Sequence, residues 1–231
     1  MPHSPHIVSD VMTQTVVAVG PNASFKEIVR TMEQWKVSAL PVLEGEGRVI
    51  GVVSEADLLP KQEFRDSDPS RIEQTARLAD LAKAGATTAE ELMSTPALTV
   101  HADATLAQAA RVMAHGRIKR LPVIDAEGHL AGVVSRSDLL KVFLRTDLDI
   151  EDEVRRDVIG LLFPNLSPPP EVTVDEGAVT LRGHIPDPAL IPIAARLTRA
   201  VEGVVDVECR LTATRRQQWR PETLGQEGRP S

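Results

Sequence analysis

The sequence predicts a mixed α/β (α+β) protein: two pseudo-symmetric β-α-β-β-α repeats packed as a pair, followed by a small α-β-β-α-β domain. Three observations predict it. First, Gly51-Val52-Val53-Ser54-Glu55-Ala56-Asp57-Leu58-Leu59 returns 81 residues later as Gly132-Val133-Val134-Ser135-Arg136-Ser137-Asp138-Leu139-Leu140, and the same shift matches Leu40-Pro41-Val42 to Leu121-Pro122-Val123 and Met12 to Met93. Second, each copy carries a capped, amphipathic helical stretch at the same offset. Third, the pattern changes beyond Phe143 to a helix, a hairpin, a helix and a strand. Each repeat is one supersecondary unit that must bury its apolar face on another, and its natural partner is the other copy.

In chain order, Thr15 to Val19 reads as a strand that Pro21-Asn22 ends with turn chemistry. Ser24 and Glu27 form a capping box, with Phe25, Ile28, Val29 and Met32 on one helical face. Copy two repeats this with Thr105 and Gln108 as the box and Leu106, Ala109, Ala110 and Met113 as the face. Each copy then gives a strand (residues 39–43 or 120–124), a Gly-containing turn, a second strand ending at Ser54 or Ser135, and a final helix. These spans place repeat one at residues 8–60 and repeat two at 89–145. The connector, 61–88, is expected to hold an amphipathic helix marked by Ile72, Ala76, Leu78, Ala79 and Leu81 and ending at Gly85.

In the last domain, residues 150–214, Ile150, Val154, Val158, Leu161 and Leu162 mark a helix stopped by Pro164. A hairpin follows, with Val172, Val174, Val179 and Leu181 alternating around the turn Asp175-Glu176-Gly177. Ala194, Leu197 and Val201 mark a second helix, started near Ile191 because Pro192 would break its interior. Residues 204–211 read as the last strand. The polar tail, 215–231, is expected to be disordered.

At 231 residues, 42% apolar and net charge -7, the chain has the composition of a soluble globular protein. Its acidity argues against general affinity for nucleic acid, which needs a positive face to displace counterions. Aromatic residues are 3% of the chain and tyrosine is absent, which counts against base-stacking platforms. The single cysteine, Cys209, excludes an intrachain disulfide framework. No apolar run spans a bilayer and Met1-Pro2-His3-Ser4-Pro5-His6 lacks the regions of a signal peptide, so a cytoplasmic location is expected. The histidines show no metal-ligand spacing, and no phosphate loop or nucleophile elbow appears, so neither a metal nor an enzymatic activity is expected.

The chemistry concentrates on the repeated Ser-x-x-Asp that opens each final helix. As local structure it is a helix cap. As a site, free amides and the Ser hydroxyl at a helix start receive phosphate while the Asp accepts hydrogen bonds from ribose hydroxyls. Copy two adds Arg117, Lys119, Arg120 and Arg136 where copy one has Lys36, Ser38, Ala39 and Glu55. The reading from charge is that the copy-two cleft is the better phosphate site and that Glu55 disfavours phosphate in copy one.

Residues 8 to 144 resemble a pair of cystathionine beta-synthase (CBS) domains, on Asp10-Val11-Met12, Leu40-Pro41-Val42 and Gly51-Val52-Val53-Ser54-x-x-Asp57 and their counterparts Glu91-Leu92-Met93, Leu121-Pro122-Val123 and Gly132-Val133-Val134-Ser135-x-x-Asp138. The resemblance implies a tandem module that often dimerises and holds adenosine-containing ligands in clefts between the copies. It implies ribose contacts for Asp57 and Asp138, phosphate contacts for Ser54 and Ser135, and an adenine cleft around Val16, Ala97, Pro41 and Pro122; the charge comparison adds Arg136 as a phosphate contact. Arg117-Ile118-Lys119-Arg120-Leu121-Pro122-Val123 also looks like the stretch of the AMP-activated kinase gamma subunit whose basic residues contact phosphates, which assigns phosphate to Lys119 and Arg120. Residues 150 to 214 resemble a BON domain, on Val179-Thr180-Leu181-Arg182-Gly183 and Val201-Glu202-Gly203-Val204-Val205-Asp206-Val207. That combination is a familiar bacterial one, and the BON family is suspected of binding phospholipid.

The expectation is a cytoplasmic, homodimeric regulatory protein of signal transduction. It binds AMP, ADP or ATP, with S-adenosylmethionine, NAD or a cyclic dinucleotide as alternatives, and relays this to a membrane or protein partner through the BON domain. The rival readings are a dimerisation scaffold that senses nothing and a phospholipid-binding protein led by the BON domain.

Overall fold

The computed structural model describes residues 6–64 and 78–213. They divide into two compact units, the described residues up to Lys141 and those from Val142. The sequence expectations for Ile72, Ala76 and the tail at 215–231 fall outside the described residues.

In the first unit each repeat opens with a short helical turn: α1 (Val8–Val11) in copy one and, further on, α5 (Ala89–Leu92) in copy two. Copy one continues with α2 (Phe25–Trp35), β1 (Ala39–Glu44), β2 (Arg48–Ser54) and α3 (Glu55–Glu63). The connector contributes α4 (Leu78–Gly85). Copy two has β3 (Val100–His101), α6 (Leu106–Gly116), β4 (Arg120–Ile124), β5 (Leu130–Ser135) and α7 (Arg136–Leu139).

The capping boxes form as expected. The Glu27 amide donates to Ser24 Oγ at 3.3 Å and the Gln108 amide to Thr105 Oγ1 at 3.2 Å. Ile28, Met32, Leu106, Ala109 and Met113 are buried, whereas Val29 and Ala110, equivalent under the repeat, both face outward. β1 pairs antiparallel with β2, and β4 with β5, each with a register shift at the same repeat position, after Val42 and after Val123.

The leaders of the two copies are exchanged. Thr13 bridges Val133 of copy two, and its repeat equivalent Ser94 bridges Val52 of copy one; Ile7 with Thr105 and Thr88 with Ser24 form a second reciprocal pair. Ala86, Ala89 and Leu92 accordingly fill copy one's core beside Val19, Ile28, Leu40, Val42 and Val53. Arg48 and His129, 81 residues apart, bridge each other and mark the pseudo-twofold axis.

The exchange explains why the strand expected at Thr15 to Val19 is not one. Thr13 pairs with β5 and Val19 with β1, so the residues between cross from one copy to the other without a ladder partner.

In the second unit, α8 (Asp147–Glu153) runs into a π-helical stretch, Val154–Ile159, and a final turn, Gly160–Leu162. The wider π turn rotates the inward face. Ile150, Val154 and Val158 are buried as expected, but Ile159 and Phe163 join them while Leu161 is 68% exposed.

β6 (Glu171–Asp175) and β7 (Ala178–Ile185) form the hairpin, and β8 (Asp206–Ala213) lies parallel to β7. The turn is Glu176-Gly177, both at positive φ, the geometry that suits a two-residue hairpin. α9 (Leu190–Ala200) takes Pro192 in its first turn, where a missing N–H leaves no bond unmade. The last strand begins two residues later than expected, leaving Val205 exposed, and Cys209 packs partly buried against this unit's core.

Candidate functional site

The end of β2 delivers Ser54 to a helix start, and Asp57 sits at the third position of α3. The Ser54 amide and hydroxyl both donate to Asp57 Oδ2, at 2.7 and 2.6 Å. The other carboxylate oxygen, Oδ1, accepts from Lys83 of α4 and from Ser94 Oγ at 3.3 Å. Asp57 is 7% exposed, one of two buried polar residues among those described. A helix cap needs no such burial: Ser24 and Glu27 perform the same local task at the surface.

Asp57 lines a cleft of about 470 Å³, within the range that holds small-molecule ligands. Four stretches build it. Copy one supplies the start of β1 and the β2–α3 junction, including Ser54, Glu55 and Asp57; the exchanged leader of copy two supplies residues 94–98; copy two also supplies 116–120, with Arg117, Lys119 and Arg120. The cleft therefore combines a carboxylate and hydroxyls from one copy with cations from the other.

The second motif is locally similar and differently partnered. Asp138 Oδ2 accepts from the Ser135 amide and hydroxyl at 2.9 and 2.6 Å, while Oδ1 accepts from Lys141, on the same stretch of chain, at 2.8 Å. Burial would raise the Asp138 pKa, but hydrogen bonds from Lys141 and Ser135, with the charge of Lys141, outweigh it and hold the carboxyl below its ordinary value. Arg136 turns its guanidinium back to the Ile118 carbonyl at 3.0 Å.

The expected site residues are thus regrouped. Ser54, Asp57, Lys119, Arg120 and Ala97 share one cleft, whereas Ser135, Arg136 and Asp138 do not line it. Lys119 and Arg120, expected to serve the copy-two motif, face the cleft of the copy-one motif, and Glu55 lies among the same cations. Pro41 and Pro122 are buried within β1 and β4 and do not line this cleft, nor does Val16.

Sequence reasoning missed Lys83 and Ser94. Ser94 directly follows the Glu91-Leu92-Met93 motif, and that adjacency is the signal that could have found it. Lys83 lies in the connector, outside both copies, and no repeat signal marks it.

Asp125, Glu127 and His129 bring ligand-type atoms within 4.8 Å of one another. They form the β4–β5 turn, in which Asp125 Oδ1 accepts from the Glu127 and His129 amides at 3.0 and 2.8 Å. That accounts for their proximity as hairpin structure. Among the described residues no helix is long and apolar enough to cross a membrane.

The fold is a pair of homologous repeats with exchanged leaders and a cleft lined by both copies. The CBS domain family matches residues 8–62 and 89–145, and the BON domain family matches 146–215. The chain belongs to the CBS domain family, as a tandem pair followed by a BON domain.

Among its relatives, the CBS domain-containing protein YhcV of Bacillus subtilis is 32% identical over 132 residues, 57% of this chain and 81% of that protein. The uncharacterized protein MJ1426 of Methanocaldococcus jannaschii is 29% identical over 154 residues, 60% of this chain and 91% of its own. A crystal structure of CBSX2 in complex with AMP, a protein of Arabidopsis thaliana, is 30% identical with a TM-score of 0.53, covering 60% of this chain and 97% of that one.

Proposed function

We propose that this chain is a regulatory protein whose CBS pair binds an adenosine ligand of the AMP, ADP or ATP class in the Asp57 cleft. The observation that carries the reading is the composition of that cleft: a buried carboxylate with flanking hydroxyls on one wall and Arg117, Lys119 and Arg120 on another. A carboxylate accepts the two hydroxyls of a ribose, and clustered cations receive phosphate. The AMP complex of CBSX2 supports the choice of ligand class. This assignment exchanges the partners expected from charge: the copy-one motif, not the copy-two motif, takes the basic strip.

Asp57 and Ser54 then hold the ribose end, Lys119 and Arg120 the phosphate end, and Ala97 borders the base. The Ser135–Asp138 motif, with Arg136, is a second and weaker site. The functional unit is a cytoplasmic homodimer that passes ligand occupancy to the BON domain and its partner, by linkage between ligand affinity and the arrangement of the repeats. S-adenosylmethionine, NAD and cyclic dinucleotides are the competing ligands.

Titration calorimetry of the full chain with AMP, ADP, ATP, adenosine and those alternatives tests the reading. AMP binding that Asp57→Ala abolishes and Asp138→Ala spares is expected. Loss of AMP binding in Asp138→Ala alone, or a flat panel, would sink it.

A further inference from the structure

The carboxylate assigned to the ligand is already engaged. Asp57 Oδ2 takes both donors of Ser54, and Oδ1 takes the Lys83 ammonium together with the Ser94 hydroxyl. These donors occupy the carboxylate's directions for strong hydrogen bonds. Lys83 is brought there from α4, 26 residues along the chain, and Lys61 of α3 reaches back to the Ala84 carbonyl of α4 at 2.8 Å. α3 and α4 are thus clasped twice, once through the Asp57 carboxylate. The equivalent carboxylate of copy two has a local partner instead, Lys141, three residues further on.

We propose that Lys83 is an internal competitor for the ribose at Asp57, so that a ligand filling the cleft displaces the Lys83 ammonium and loosens α4 from α3. This rests on the assignment of adenosine ligands to the Asp57 cleft. A vicinal diol offers the carboxylate two donors in place of one ammonium, and the released ammonium regains its hydration. Part of the ligand's binding free energy is thereby used to open the α3–α4 clasp. That is the condition for a ligand to shift a conformational equilibrium, since only a differential interaction with the two states can do so. Occupancy of the copy-two motif, whose lysine sits beside it on the chain, has no such reach.

Removing Lys83 separates competition from simple electrostatic help. A lysine that assisted binding through its charge would, on removal, weaken AMP and leave adenosine unchanged. A competitor, on removal, tightens adenosine, which has no phosphate.

The test is calorimetric titration of adenosine and AMP into the full-length wild type and Lys83→Met, with hydrogen exchange of residues 78–85 in the wild type with and without AMP. The expected result is adenosine affinity higher in Lys83→Met by on the order of tenfold, the scale of one charge-assisted hydrogen bond, and faster exchange in α4 when AMP is bound. AMP binding to the wild type with exchange in α4 unchanged or slowed overturns the proposal and leaves the nucleotide assignment standing. Equal or weaker adenosine binding by a folded Lys83→Met does the same. Absence of binding to both proteins overturns the nucleotide assignment, and the proposal with it. The exchange measurement needs no variant and decides the matter even if Lys83→Met fails to fold.

Discussion

Replacing Gly132 with alanine tests the leader exchange on which the composite cleft depends. An added Cβ would stand 2.7 Å from Met12 Sδ and 2.9 Å from the Thr13 carbonyl oxygen. Those atoms belong to the first leader, so the clash exists only if that leader lies on copy two. The Met12 side chain can rotate away. The Thr13 carbonyl cannot, because it accepts the Val133 amide at 2.9 Å while the Thr13 amide donates back to the Val133 carbonyl at 2.9 Å. Relief therefore means breaking or stretching that bridge.

Overpacking of this kind costs about 1–3 kcal/mol, or a fall in melting midpoint of roughly 2–4 °C per kcal/mol for a chain of this size. Gly51→Ala is the internal comparison, since the three nearest neighbours of its added Cβ are all atoms of the Met93 side chain, Sδ foremost. Shortening the methionine should rescue Gly51→Ala more fully than Gly132→Ala, with both pairs measured as double-mutant cycles by calorimetry or circular dichroism. A Gly132→Ala protein with the wild-type midpoint would refute the exchanged arrangement, and with it a cleft built from both copies.

Three further outcomes are expected. Lys119→Ala should weaken AMP by about 10–100-fold, the scale of a lost charge-assisted hydrogen bond, and leave adenosine nearly unchanged; equal losses for both ligands would place the phosphate elsewhere. Asp138 has a depressed folded pKa, so its stabilising contribution is complete above the unfolded aspartate value of about 3.9 and is lost as the pH falls through the folded value. Urea unfolding at stepped pH should accordingly show wild type and Asp138→Asn converging in strong acid, and a constant gap would contradict the pairing. In the second unit the Asp147 carboxylate accepts from the Glu176 and Gly177 amides at 2.9 and 2.8 Å. Asp147→Ala should therefore destabilise that unit by about 1–3 kcal/mol, seen as a lowered unfolding midpoint and faster exchange at the hairpin turn.

Some of this was written locally and was legible. Capping boxes at Ser24 and Thr105 depend on residues three apart, and the inward faces of α2 and α6 on a 3.6-residue period. Where the expectation failed, either the helix changed its period or the chain crossed between copies. The π turn at Val154–Ile159 rotated Leu161 outward, and the crossing leader left Thr15 to Ala18 without strand partners.

The sequence by itself determined the repeat, its 81-residue offset, the family, the BON domain and the Ser-x-x-Asp motif with its paired Ser and Asp. Tertiary structure decided which residues share a cleft. Similarity between the copies says that Asp57 and Asp138 are equivalent, but not which copy's cations each one faces. That depends on how a pseudo-twofold pair closes: the exchange of leaders joins residues 94–98 to the copy-one junction, and the packing of the two copies brings 116–120 to the same cleft. The partner of Asp57 was hidden for the same physical reason. Lys83 lies outside the repeat, and only the packing of α4 on α3 brings its charge to the carboxylate.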